Sequence, residues 1–253
     1  MNHLLTIYGI GPVLAEVILH KLIELGYDKK LLTANDNSYT KKDIYRMLKT
    51  PSVYDGLPES AKVYLKYLPD RRIPRAVIEV LDIELHNRIT GTRLQVAGSY
   101  RRGRPTSNDA DIVVVQRGDV LTKIQDCMKL SKTIEMQLPY ASGPDRASVL
   151  FIVSVNKKKI GVRKSKYVVK SDIFLTSASD YIFMLLYATG SGGFNILMRS
   201  QAKRRGLLLN QRGLYNGDGT KVPIANEHEI FDKVGVKYKT PEKREVTIKK
   251  IKQ

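Results

Sequence analysis

Cysteine is all but missing from this sequence: Cys127 stands alone among 253 residues. A single thiol closes no internal disulfide, so the chain reads as a protein of a reducing, intracellular compartment, whether nucleus, cytoplasm or, for a virus, the viral factory. Histidine is nearly as sparse, and His3, His20, His86 and His228 lie too far apart to share a structural zinc ion. Long apolar runs are missing as well. None approaches the ~18 residues of a spanning helix, and the opening MNHLLTIYGIG has neither the charged start nor the apolar core of a signal peptide. No membrane partner is expected. Acid is also in short supply, with 25 Asp and Glu against 43 Lys and Arg, a net charge of +18. Such an excess points to a polyanionic partner, most often nucleic acid.

What is present suits a folded protein. Hydrophobic residues make up 42% of the chain, and the length allows one large module or two to three small ones with a real core. In the first segment, Gly9-Ile10-Gly11 interrupts the chain, Pro12 opens a helix, and Val13, Leu14, Val17, Ile18 and Leu25 recur at helical intervals as its apolar stripe up to Gly26. A hydrophobic-Gly-hydrophobic-Gly hairpin before a helix can offer backbone N–H groups to a phosphate; it can equally be an ordinary helix-start turn. Residues 33–42 read as a polar loop, with more helix following up to Leu68. In RRIPRAVIEVLDIELHNRI, Pro74 suits a helix start and Val77, Ile78, Leu81 and Leu85 form a stripe for core packing. From Arg93 the texture becomes that of strands: RLQVAGSY, DIVVV, SVLFIVSV and YVVKSDIFL. Two helices follow, broken at residues 189–193, with Gly206 at the end of the second. LLLNQRGLYNGDGTKVPI then reads as short strands turning at Asn216-Gly217-Asp218-Gly219, and KREVTIKKIKQ as a basic tail.

The stretch AGSYRRGRPTSNDAD, residues 97–111, carries the chemistry. Asp109 and Asp111 precede the β-branched run Ile112–Val115, and residues two apart on a strand face the same way. Paired carboxylates repel unless they are protonated or share a cation. Alone, the pair reads as well as a polar turn feeding a strand. Gly98-Ser99 and Arg101-Arg102 just upstream add phosphate-binding groups to the metal-ligand pattern. Asp172 lies within another β-branched run, where an acid is costly without a partner. If those two strands are neighbours, three carboxylates converge.

Taken in order, these motifs resemble the family X DNA polymerases of the polymerase beta type, across nearly the whole chain. YGIGPVLAE is similar to that family's second helix-hairpin-helix, RRIPR to the start of its palm, and GSYRRGRPTSNDADIVV to its metal-binding motif. KSDIFL resembles the third-aspartate strand, YATGSGGFNILMR the nucleotide-binding segment, and IFDKVGVKYKTPEKRE the closing region. The fold this implies is α+β: a helix-hairpin-helix DNA-binding domain (1–70), a nucleotidyltransferase, polymerase beta-like palm (71–176) and a C-terminal α/β nucleotide-binding subdomain (177–253). The implied cofactor is a pair of Mg²⁺ ions, with Mn²⁺ as a substitute. Asp109 and Asp111 would hold both ions, and Asp172 would join on the catalytic one. Arg72, Ser99 and Arg102 would hold the triphosphate with the backbone at Asn108 nearby, and Gly190 would belong to the nucleotide site. Tyr187 would lie near the sugar, Asn195 near the base, Arg199 near the template and Lys170 at the primer end. Gly9 and Gly11 would hold the DNA backbone.

The resemblance implies a template-directed DNA polymerase filling short gaps in repair, acting as a monomer on primer-template, nicked or gapped DNA with dNTPs. Several residues depart from the family pattern. Ala188 follows Tyr187 where the family often has Phe, which leaves rejection of ribonucleotides open. Asn108 replaces a glycine. Gly192-Gly193 and Ile196 stand where Asp-Ile and a template-stacking Lys are common, so lower fidelity is expected. The sequence given begins at the second hairpin, without the family's lyase module, and no lyase activity is expected of it. Two other readings are a template-independent terminal nucleotidyltransferase and a non-catalytic protein that binds DNA ends or gaps. Lys157-Lys158-Lys159, Arg163-Lys164 with Lys166, and Lys203-Arg204-Arg205 are candidate phosphate contacts, for which binding should fall steeply with salt.

Overall fold

In the computed structural model, the residues described are 4–7, 10–33, 39–67, 70, 72–115, 119–137 and 141–246. Two compact units divide the chain: residues 1–69 with 139–141, and residues 70–138 with 142–253. Among the described residues no helix is long and apolar enough to cross a membrane.

The first unit is helical. It comprises α1 (Pro12–Glu24), α2 (Lys29–Thr33), α3 (Lys41–Met47), α4 (Pro51–Tyr54) and α5 (Glu59–Tyr67). Proline at the first helical position opens α1 and α4, where its missing N–H costs nothing. Thr40 and Asp43 form a reciprocal capping box on α3. The face that α1 buries shares only Ile18 and, in part, Leu14 with the expected stripe. Ala15, Ile18, Leu19 and Leu22 join the core, whereas Val13 is 79% and Val17 60% exposed, and Leu25 is exposed too. Helix α1 is apolar almost all round, so its neighbours choose its inner side. The expected polar loop is shorter than 33–42, since Thr33 ends α2 and Lys41 opens α3.

The second unit is built on a sheet. Its elements are β1 (Ile73–Pro74), α6 (Arg75–Arg88), β2 (Leu94–Val96), α7 (Gly98–Arg101), β3 (Thr106–Ser107), β4 (Ala110–Val115), α8 (Val120–Lys129), β5 (Ile134–Met136), β6 (Ala141–Ser142), β7 (Arg146–Ser154), α9 (Lys157–Ile160), β8 (Lys166–Thr176), α10 (Tyr181–Thr189), α11 (Gly192–Arg204), β9 (Leu208–Asn210), β10 (Gly213–Tyr215) and α12 (Glu227–Val234). The main sheet runs β2-β4-β8-β7-β5, with β6 beside β7. The β2–β4, β7–β8 and β5–β7 pairs are antiparallel and β4–β8 is parallel. One face of the sheet packs on α6 and α8 through Val77, Ile78, Leu81, Leu85, Ile124 and Met128, so the α6 stripe lies in the core as expected. Helix α10 covers β4 from the other side, placing Tyr181, Met184 and Leu185 against Val113 and Val115.

Two local expectations need correction. RLQVAGSY does not continue as a strand: β2 stops at Val96, and Gly98, at φ 57°, starts the helical turn α7. Only glycine takes that φ without strain. The β9–β10 hairpin turns at Gln211-Arg212, where Asn210 accepts hydrogen bonds from the N–H groups of Arg212 and Gly213. Asn216–Gly219 forms a second turn, leading to the bridge between Tyr215 and Lys221.

Candidate active site

Strand pairing brings the acids together. In the parallel β4–β8 ladder Asp111 is the direct partner of Asp172, and Asp109 immediately precedes β4. Three carboxylates therefore share one end of the sheet, and their electrostatics reflect it. Burial first, then the charges of Asp109 and Asp172, push the Asp111 carboxyl up to about 7. Burial and Asp172 raise Asp109 too, while Lys170 and Arg102 pull it back. Asp172 is buried and its oxygens are engaged by protein. Ser148 Oγ donates to Oδ1 at 2.5 Å, and Arg146 lies 2.7 Å from Oδ2. Among the described residues no three His, Cys, Asp or Glu side chains stand close enough to hold a metal as they are.

Helix α7 forms the opposing wall. A Cβ on Gly98 would collide with the Asp111 carboxylate, so the glycine is required by contact as well as by φ. From α6, Arg75 donates to the Tyr100 carbonyl at 2.6 Å and stacks over its ring, while the Tyr100 hydroxyl donates to Asp82 at 3.1 Å. Burial and Asp82 push that phenol up to about 12, so it remains a donor. This clamp fixes the turn that presents Ser99 and Arg102. Ser99 Oγ donates to Ser107 at 2.8 Å, and Arg102 reaches the Thr189 carbonyl at 2.6 Å and Glu245 at 3.0 Å. Arg72, at φ 56°, lies one residue beyond the Ile73–Ser107 pair, next to exposed Asn108.

The break between α10 and α11 supplies the third side. Gly190, with φ 60° and a cis bond to Ser191, lies beside Arg102. Asn195 donates to the Tyr187 carbonyl at 2.9 Å, the Tyr187 ring meets Phe174 edge-on, and the Arg199 guanidinium stands 5.6 Å from that ring. A cavity of about 490 Å³ opens here, lined by Arg146, Phe174, Met184, Tyr187 and Arg212 among others. Ser191 clasps the later chain, accepting from Val246 N–H at 3.0 Å and donating to the Arg244 carbonyl at 3.0 Å.

Of the residues singled out from sequence, Asp109, Asp111, Asp172, Lys170, Ser99, Arg102, Asn108, Arg72, Gly190, Tyr187, Asn195 and Arg199 all belong to the second unit. Gly11 belongs to the first, as N-cap of α1, and Gly9 lies outside the described residues. The sequence reading missed Arg146, Ser148 and Glu245. No motif marks them, because their roles follow from strand register and from the approach of residues 244–246.

A polymerase beta-like palm and thumb is the fold these features define. A profile of the DNA polymerase beta thumb matches residues 184–245. DNA polymerase lambda of Rattus norvegicus is 23% identical over 282 residues, covering 95% of this chain and 48% of that protein. The Repair DNA polymerase X of African swine fever virus (isolate Warthog/Namibia/Wart80/1980) is 24% identical over 159 residues, 62% of this chain and 84% of the viral protein. Among solved structures, the ternary P/T complex of Leishmania infantum polymerase beta superposes with a TM-score of 0.67 at 21% identity, covering 92% of this chain and 99% of that one. These likenesses support a family X DNA polymerase. It spans about half the length of the lambda polymerases it matches.

Proposed function

We propose that the protein is a template-directed DNA polymerase that adds single dNTPs to a primer 3′-hydroxyl in short gaps. The observation that carries the reading is the pairing of Asp111 with Asp172 across β4 and β8, with Asp109 beside them. These three carboxylates are hard oxygen donors of the kind suited to Mg²⁺, and burial, with their mutual repulsion, holds Asp111 up to about 7 while no cation answers it. Asp109 and Asp111 would hold two ions and Asp172 one of them. Bound there, the ions would stabilise the attacking and leaving oxygens of an in-line displacement.

The chain's own residues do the positioning. Ser99 and Arg102, presented by the clamped α7, face the triphosphate and offset charge that builds on it. Arg72 and the backbone at Asn108 reach the same group from the β1–β3 edge, and Gly190 lets the chain pass close by. Tyr187 and Asn195, tied by a hydrogen bond, set sugar and base against the template side held by Arg199. Asp172 also accepts the proton of the primer hydroxyl once Arg146 lets go of it.

The test is extension of a labelled primer on a one-nucleotide gapped duplex with Mg²⁺ and single dNTPs, comparing wild type with Asp172→Ala. Addition of only the complementary nucleotide, lost in the variant, is the expected result. Addition without regard to template would replace this reading with a terminal transferase. Binding without addition would leave a DNA-binding protein.

A further inference from the structure

The basic clusters have different fates in the fold. In the one ending at Arg205, that guanidinium packs so closely on Gly235 that a Cβ there would strike it, so this arginine serves packing. The turn between β7 and β8 serves no such end. Asn156 caps α9 by accepting from Lys158 and Lys159 N–H groups, and Gly161 ends it at φ 68°. That short helix holds Lys157, Lys158 and Lys159 in solvent, and exposed Arg163, Lys164 and Lys166 follow. Among the described residues only Lys164 of this group has an ion-pair partner, Asp70. Like charges gathered without answering acids repel one another, and nothing among the described residues offsets that cost. A polyanion would.

The sheet fixes where this charge lies relative to the carboxylates. Tyr167, Val169, Ile173 and Leu175 of β8 point into the core, so the period-two rule places Lys166, Lys170 and Asp172 on the opposite face. At ~3.3 Å per residue, Lys166 stands ~20 Å from Asp172 along the strand, with Lys170 in between. A duplex rises ~3.4 Å per step, so this span equals about six base pairs.

We propose that the turn formed by residues 155–166 grips the phosphate backbone of the primer duplex about six base pairs behind the primer 3′ end. The inference rests on the polymerase reading above. It deepens that reading by assigning one surface to one stretch of substrate: the line from Asp172 through Lys170 to Lys166 follows the primer strand away from the site. Lys157, Lys158, Lys159 and Arg163 supply the charge at its far end.

The experiment measures binding of the full chain to primer-templates by fluorescence anisotropy over a range of salt. The duplex behind the primer end is 4 or 12 base pairs long, with the template overhang held constant. Wild type is compared with a variant carrying Lys157→Ser, Lys158→Ser, Lys159→Ser and Arg163→Ser, whose thermal melt reports its folding. Wild type should bind the longer duplex at least ~10-fold more tightly, with a log–log salt slope steeper by about 3 than the variant's, from ~0.9 per phosphate contact. The variant should bind both lengths as wild type binds the short one. A variant that keeps the preference for the long duplex and the full salt slope overturns the proposal, as does one that weakens binding to both duplexes equally. Wild type that adds templated nucleotides but shows no length preference overturns this inference alone. Wild type that adds none overturns the polymerase reading as well.

Discussion

Arg146 on β7 is ion-paired at 2.7 Å with Asp172 on β8, one of the two acids that face each other across the β4–β8 ladder. A resident cation thus occupies an oxygen that a metal would use. Arg146→Ala should therefore tighten Mn²⁺ binding in the absence of DNA and nucleotide. The gain should be about three- to fivefold, since an ion pair with one solvent-exposed partner contributes about 1 kcal/mol or less. Electron paramagnetic resonance titration of free Mn²⁺ reads this directly, and Arg146→Lys should restore wild-type affinity. Unchanged or weaker Mn²⁺ binding in the alanine variant would show that the arginine does not compete.

Asp111 should make the metal-free protein sensitive to pH in a direction opposite to most carboxylates. Its folded-state carboxyl is raised to about 7 from 3.8, so the folded protein binds a proton that the unfolded chain releases. The group's contribution is favourable below about 4 and is lost as pH rises toward and through 7. Asp111→Asn keeps the shape without the charge. It should raise Tm by a few degrees at pH 8 and by clearly less at pH 5, while abolishing nucleotide addition. Calorimetric melts at the two pH values check it.

Gly98→Ala tests how closely α7 approaches β4. The left-handed backbone alone costs a β-carbon about 1–2 kcal/mol, and here the new carbon also strikes the Asp111 carboxylate. Lower Tm and at least a ~10-fold loss of nucleotide addition rate are expected together. A variant that melts lower yet adds nucleotides at the wild-type rate would mean that the carboxylate can move aside without consequence.

Glu227 joins two arginines, accepting from Arg101 at 2.7 Å and from fully buried Arg244 at 2.9 Å. Burial acts to raise its carboxyl, but the two guanidiniums outweigh that and hold it below the ordinary 4.5. Its stabilising effect is complete above the unfolded value of 4.5 and disappears as pH falls through the lowered folded one. Glu227→Gln leaves Arg244 buried without a counter-charge and should destabilise by about 3 kcal/mol at pH 7. Below pH 4 the gap between variant and wild type should narrow. Urea unfolding at both pH values measures it.

The buried stripe of α6 was legible because Val77, Ile78, Leu81 and Leu85 recur at helical spacing after Pro74. The sequence did not settle α1, where apolar residues lie on both sides and only packing decides that Leu22 is inside and Val13 outside. The Asp109, Asp111 and Asp172 motifs could be read because acids in β-branched strands are rare and costly. Their adjacency required the β4–β8 pairing, which no local pattern encodes. The partners of Asp172 escaped for the same reason: Arg146 stands opposite Phe174 only through register. Asn216-Gly217 drew the hairpin turn toward itself, while the side chain of Asn210 makes the turn that joins the strands.

The β4–β8 ladder has a consequence for how such a chain can change over generations. The carboxylates are fastened to each other by a row of backbone hydrogen bonds, while the β7–β8 turn hangs from the far end of the same strand. Insertions, deletions or recharging in that turn leave the spacing of Asp111 and Asp172 untouched. A lineage can therefore retune its grip on a nucleic acid without renegotiating its chemistry, and an engineer can exchange residues 155–166 under the same protection.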